Sequence, residues 1–251
     1  MFKYFFYHYS MLPDNTVGFK LYDTLHLAWL VSLLVVGVLV SLSYRRLTKT
    51  EKIRFRKIMA IIMVGLEVIK DIVIASSGNF GVSYLPLHLC GISLFVVLIH
   101  SYTNKQFWAE VAYVICLPGA LAALLFADWT VYPLLNFMHM HSFIIHAMIV
   151  CYPILLLVGK EYRPDYRYLF KVLGFVFLLA LPIYGFNKLF DTNFFFINWP
   201  SPGSPLVLFE KWMGNPGYLI PLAILLFVVL LFMYSPFYIK EKVLSNKIKS
   251  Y

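Results

Sequence analysis

The chain has 251 residues, of which 61% are apolar and 13% charged, against ~45–50% and ~25% in soluble domains. A soluble fold of this size has no interior large enough to hide so much apolar surface, so lipid is its natural solvent. The net charge of +9 does not point to nucleic acid, because the Lys and Arg residues lie between apolar runs, where they suit anionic inner-leaflet lipid.

The composition predicts an all-α polytopic membrane protein, one domain over residues 1–251. The N-terminal MFKYFFYHYS is aromatic and lacks an apolar stretch ending in small residues, so no cleavable signal peptide is expected. Seven apolar runs then follow in order. The first two cover about 24–43, ending at Tyr44-Arg45-Arg46, and about 57–76, whose Glu67, Lys70 and Asp71 weaken its hydropathy. The third covers about 84–101 with Pro86 at its opening turn, and the fourth about 107–126 with Pro118 as an expected kink. The fifth covers about 137–158, the sixth about 168–186 and the seventh about 218–238. The longest loop, 187–217, is rich in Pro, Gly, Asn and Ser, which break regular structure. Its aromatic residues are expected to lie on the membrane surface or fold back over the helices.

Basic residues set the orientation. One side collects Arg45, Arg46, Lys49, Lys52, Arg54, Arg56 and Lys57 after the first span, Lys105 after the third, Lys160, Arg163, Arg167 and Lys171 around the start of the sixth, and Lys240, Lys242, Lys247 and Lys249 in the tail. The other side has only Lys3, Lys20, Lys188 and Lys211. The split alternates as seven spans require, with the N-terminus outside and the tail cytoplasmic.

Ionisable groups inside spans are costly and default to functional candidates. Spans three and five both enter from outside, which puts Cys90 roughly 9 Å and His146 roughly 14 Å below the outer edge, with His139 and His141 shallower. Glu67, Lys70 and Asp71 fall roughly 8–14 Å below the same edge. His26 opens span one there, and His88 sits just above Cys90. The inner half holds almost nothing polar apart from His100 at its boundary.

Cys90 is the candidate nucleophile, since a thiolate attacks carbonyls once a base takes its proton, and His146 is the best-placed base. Against this, free cysteines are among the most buried residues and usually only pack. Cys116 and Cys151 read that way, and no cysteine sits where a disulfide framework would place it. His139 and His146 share a helix face, while His141 points elsewhere; His139 and His141 can also be read as interfacial. No HxxxH or CxxC spacing supports zinc, and no metal or other cofactor is expected. Glu67, Lys70 and Asp71 share one face, either as a self-neutralising group or as an acid that orients a histidine beside a lysine that holds phosphate. His88 lies roughly 200° round the helix from Cys90, so the two are not expected to face one point closely.

The run Leu85-Pro86-Leu87-His88-Leu89-Cys90 resembles the signature of the YwaF-type bacterial membrane proteins, relatives of the eukaryotic transmembrane-protein-164 family. So does Asp191-Thr192-Asn193-Phe194-Phe195-Phe196-Ile197, followed by Trp212-Met213-Gly214-Asn215-Pro216-Gly217-Tyr218, where Gly217 replaces an expected aromatic. His146 and Glu67 fit as well, and the likeness covers nearly the whole chain. The resemblance implies a seven-span fold like that of the androgen-induced fatty-ester hydrolases, and acyl chemistry on an intramembrane cysteine and histidine. Those roles fall on Cys90 and His146; the hydrolase relatives use threonine at the nucleophile, so this chain follows the cysteine branch.

The expected function is a multi-pass cell-membrane acyltransferase, or a lipid hydrolase, that forms a thioester and acts on phospholipid or lysophospholipid, with membrane lipids as partners and no nucleic acid. Two alternatives come from other classes: a lipid or small-solute transporter using Glu67, Lys70 and Asp71, and a noncatalytic membrane chaperone or sensor.

Overall fold

The computed structural model describes residues 4–249, with side chains through 243, so Lys3 and the side chains of Lys247 and Lys249 lie outside it. Eight helices and no strands make up the described residues: α1 (Thr24–Arg46), α2 (Lys49–Ser76), α3 (Leu89–Thr103), α4 (Gln106–Leu125), α5 (Phe137–Val158), α6 (Leu169–Phe190), α7 (Leu206–Met213) and α8 (Leu219–Lys249). By length and composition five can cross a membrane, namely α1, α4, α5, α6 with the turn before it, and α8. This is a multi-pass membrane protein. Of the other two long helices, α2 carries many charges and α3 is only 15 residues long.

Local chemistry sets the ends. Asp23 caps α1 by accepting from His26 N at 2.8 Å. A capping box between Thr48 and Glu51 starts α2 at Lys49, well before the apolar run at 57. Asn104 and Asp191 end α3 and α6 in the left-handed conformation that short polar side chains tolerate.

The central helix is α5, half buried, which packs on α4, α1, α2 and α3. By contrast α1, α6 and α8 are mostly exposed and apolar, as lipid-facing helices should be. The expected kink at Pro118 takes a specific form. Residues Ala112–Cys116 make a π turn, with Leu117 N–H donating to Ala112 O. Pro118 has no N–H for the ladder, and the widened turn lies immediately before it.

Three sequence expectations are corrected. The third span does not begin as helix at 84. Residues Val82–Tyr84 form a 3-10 turn and α3 starts only at Leu89, because the Leu85–Leu87 turn around Pro86 disfavours helix before it. Gly91 then sits where a Cβ would lie 2.7 Å from Pro86 O. The long loop after α6 contains an eight-residue helix, α7, whose Leu208, Trp212 and Met213 are exposed; an amphipathic helix of that kind suits a membrane interface. The N-terminal segment is fastened to the α4–α5 loop, the start of α5 and the turn before α3: Phe137 N–H donates to Phe5 O at 2.7 Å and Phe19 N–H to Thr130 O at 2.9 Å, while His8 bonds the Tyr84 hydroxyl. Finally, buried charged groups are not confined to the band around Cys90 and His146. Arg56 pairs with Glu161 at 3.2 Å and donates to Asn104 Oδ1 at 2.9 Å. Glu110, fully buried, accepts from Gln106 Nε2 at 2.7 Å, Tyr162 hydroxyl at 2.5 Å, Asp165 N–H at 2.9 Å and Tyr234 hydroxyl at 3.0 Å. Arg56 and Glu161 read as loop charges between apolar runs, whereas Glu110 lies within the fourth run and the sequence analysis passed over it.

Candidate active site

The N-terminal end of α3 and the middle of α5 meet at Cys90 and His146, with Sγ 2.9 Å from Nε2. Cys90 is the second residue of α3, not a mid-helix group as its place within the apolar run suggests. The N–H groups of that first turn have no partner within the helix, and its N-cap, His88, supplies no side-chain bond to them. The positive end of the helix dipole therefore lies beside the thiol.

The other nitrogen fixes the ring's state. His146 Nδ1 lies 2.7 Å from Ser142 O, and a carbonyl oxygen only accepts, so Nδ1 carries the hydrogen. In the neutral ring Nε2 is then the bare nitrogen, and it faces the thiol. Trp129 stacks on the ring at 5.1 Å between centroids and 12° between planes, which holds it in plane with that contact.

Both side chains open onto a cavity of about 1230 Å³. Its polar end gathers Glu67, Lys70, His88, Asp128 and His141; its remainder is mostly apolar, with Tyr184, Ser201 and Ser204 among its lining, and is walled by α3, α4, α5, α6 and α8. On α5 the lining positions are 138, 141, 142, 145 and 146, one helical stripe. His146 lies at the edge of that stripe. His139 lies beyond the edge, packed against Phe19 and Phe143, with Nδ1 3.1 Å from Tyr132 O. So His141 and His146 share the cavity and His139 does not, the reverse of the pairing expected from the seven-residue spacing.

Glu67 reaches His141, at 3.5 Å, rather than His146, and also binds Lys70. Asp71 pairs with Lys70 at 3.2 Å and is not on the cavity wall. His88 does share the cavity with Cys90, because as N-cap it leaves the helix geometry that would have turned it away; its ring packs edge-on to Phe194. His26 is fully buried at the start of α1, with Nε2 donating to Leu124 O at 2.8 Å and Nδ1 accepting from Tyr22 N–H. Both its nitrogens are used in structure, and it does not line the cavity. Cys116 is buried and Cys151 half-buried; neither lines it. Among the described residues no group of three His, Cys, Asp or Glu side chains is placed to hold a metal ion.

The sequence reading missed Asp128, Trp129 and Tyr132, which come from the loop between α4 and α5. Asp128 projects into the cavity, where desolvation holds its carboxyl above the usual carboxylate range. Lying outside the apolar runs, these residues escape a search for charges within spans.

The loop after α6 folds back over the cavity, and Phe195, Phe196 and Ile197 line it. Asn187, fully buried, fastens this lid: its Oδ1 accepts from Phe194 N–H and Thr192 hydroxyl, each at 2.9 Å, and its Nδ2 donates to Phe194 O at 2.9 Å. Asn193 Oδ1 accepts from the N–H groups of Asn198 and Trp199, each at 3.1 Å. Phe195 and Phe196 stand at φ 61° and 54°, a conformation that bulky residues adopt only when their surroundings enforce it. Replacing Asn187 by Ala leaves three bonded groups unpaired, at roughly 1–3 kcal/mol. The expected result is a lid segment 191–198 that exchanges backbone amide hydrogens at least tenfold faster, read by mass spectrometry, with exchange in α5 unchanged.

No curated protein and no solved structure matches the chain. The family model of the TMEM164 family matches residues 21–234, a stretch that includes every helix from α1 to α7, the lid and both members of the Cys90–His146 pair, and the chain belongs to the TMEM164 family.

Proposed function

We propose that the protein is a lipid acyltransferase or transacylase of the cell membrane, of the YwaF-type bacterial branch, crossing the bilayer seven times with its N-terminus outside. The observation that carries the reading is the 2.9 Å contact between Cys90 Sγ and His146 Nε2, in a cavity whose lining is largely apolar. A purely structural cysteine needs neither an oriented base nor an open volume of that size beside it.

In the proposed reaction His146 Nε2 takes the thiol proton as Cys90 Sγ attacks the carbonyl carbon of a phospholipid ester. The negative charge that develops on the carbonyl oxygen falls next to the free N–H groups at the start of α3. The carbon–oxygen bond to the glycerol breaks, and His146 returns its proton to the departing lysolipid oxygen, leaving a thioester on Cys90. An acceptor hydroxyl reverses these steps: His146 takes its proton, the oxygen attacks the thioester, and the carbon–sulfur bond breaks to regenerate the thiol. Water as acceptor gives hydrolysis by the same path. In this reading Lys70 meets the lipid phosphate, and its ion pairs with Glu67 and Asp71 support that role.

The test is the intact mass of reconstituted protein after incubation with a phospholipid of one defined acyl chain. The expected result is a gain equal to one acyl group minus one hydrogen, reversed by hydroxylamine and missing in Cys90→Ala. Transfer that proceeds in Cys90→Ala overturns the reading.

A further inference from the structure

The cavity has two openings of different chemistry. A side chain that lines the cavity and keeps a large accessible area marks a place where the wall is thin or open. On the outer face Tyr9 and Val131 meet both conditions, at 53% and 47% exposed, close to the polar end that holds Lys70 and Asp128. The second set lies along the helices: Phe177 and Leu181 on α6, at 52% and 73%, and Leu225 on α8, at 40%. All three are apolar. They sit inside the stretches of α6 and α8 that are long and apolar enough to cross a membrane.

This second opening has depth. On α6 the cavity wall runs from Tyr184 to Val176, and on α8 from Leu219 to Leu226. At 1.5 Å per residue those stretches are about 12 Å and about 10 Å long, a slot along the helix axes. Two alanines, Ala180 on α6 and Ala223 on α8, keep it wide. Inward of the slot lie Leu94 and Ile145, both buried, below Cys90 and beside His146.

We infer that the slot between α6 and α8 is a lateral portal through which the hydrocarbon chain of a bilayer lipid passes into the cavity, while its headgroup travels along the outer mouth. The occupant follows from the rim. An aqueous solute would have to cross exposed Phe and Leu side chains at bilayer depth, whereas a lipid tail exchanges one apolar surface for another at little cost. A lipid also carries a polar end and an apolar end, and the two openings divide in the same sense. The portal rests on the acyl-transfer reading only for its purpose; its existence is a separate matter and is tested without turnover.

The experiment uses full-length Cys90→Ala protein in phosphatidylcholine vesicles containing a trace of phosphatidylcholine with a diazirine in mid-chain. After photolysis, labelled peptides are mapped by mass spectrometry. Label on the exposed faces of α6 and α8 reports surrounding lipid, so the diagnostic positions are the buried Leu94 and Ile145. The expected result is label at both, falling at least fivefold when Ala223→Trp or Ala180→Trp narrows the slot. Leu181→Ala, which widens it, should not reduce the label. A dihexanoyl diazirine probe, short enough to use the outer mouth, should still label Leu94 and Ile145 in the Trp variants. Unchanged interior labelling in folded Trp variants, or labelling confined to Tyr9 and residues 195–206, overturns the portal. If the portal result is obtained but Cys90→Ala still transfers acyl groups, the acyl-enzyme reading falls and the portal stands.

Discussion

Cys90→Ala should abolish acyl transfer between phospholipid and lysophospholipid in reconstituted vesicles, and His146→Ala should lower it by roughly 10²–10⁴-fold, the range for loss of a positioned general base. The two effects should not add, because the residues act as one unit: without the base the thiol stays protonated, and without the thiol the base has no nucleophile. Cys90→Ser keeps the reach but asks the same imidazole to activate a much weaker acid, so it should fall near the alanine variant. Neither substitution should unfold the protein. Cys90 is half-buried at a helix start and loses one atom in Cys90→Ala, and the unfolding midpoint in detergent checks this. Wild-type rates in a folded His146→Ala variant would remove the imidazole from the mechanism.

The largest stability effect is expected far from that chemistry, at Glu110. Its carboxylate receives four hydrogen bonds that tie α4 to Tyr162 and Asp165 in the loop before α6 and to Tyr234 of α8. Removing it in Glu110→Ala leaves buried donors without acceptors, at about 1–3 kcal/mol for each one that finds no new partner, and opens a void. Glu110→Gln keeps the shape and one acceptor oxygen, and the tyrosine hydroxyls can turn to accept, so it should cost less than half as much. Equilibrium unfolding in mixed micelles measures both. A change within about 0.5 kcal/mol in the alanine variant, the scale of an ordinary surface substitution, would show that these bonds do not hold the inner ends of the helices together.

The long helices could be read from the sequence because apolar runs in a lipid-soluble chain have few other uses. That Cys90 and His146 meet follows from two helices entering from one side with their polar groups at like depth. The reading failed where position depends on backbone geometry rather than composition. The start of α3 hangs on the turn around Pro86, and with it the placing of Cys90 at a helix terminus and of His88 inside the cavity. The choice of His141 over His139 depends on how α5 is rotated about its axis, which a seven-residue spacing does not specify. Asp128 and Trp129 come from a connection whose path is fixed by the N-terminal segment lying over it. Asn187 and Asn193 did stand within or beside the run that carries the family resemblance. Their role as fasteners emerges only when both ends of the lid are in view.

The π turn in α4 has a consequence for how this helix could have arisen. Glu110 and Gly119 are nine residues apart, which on a regular helix sets them about 180° apart. One residue taken up by the wide turn brings them to about 80°, so the same helix presents Glu110 to the inner tyrosines and Gly119 to the cavity. Deleting a single residue between Ala112 and Cys116 would remove the wide turn and still leave the two surfaces about 80° apart, because eight residues of regular helix turn through the same angle. An inserted amino acid is thus absorbed locally, and homologous helices one residue shorter and without the wide turn should present the same two surfaces.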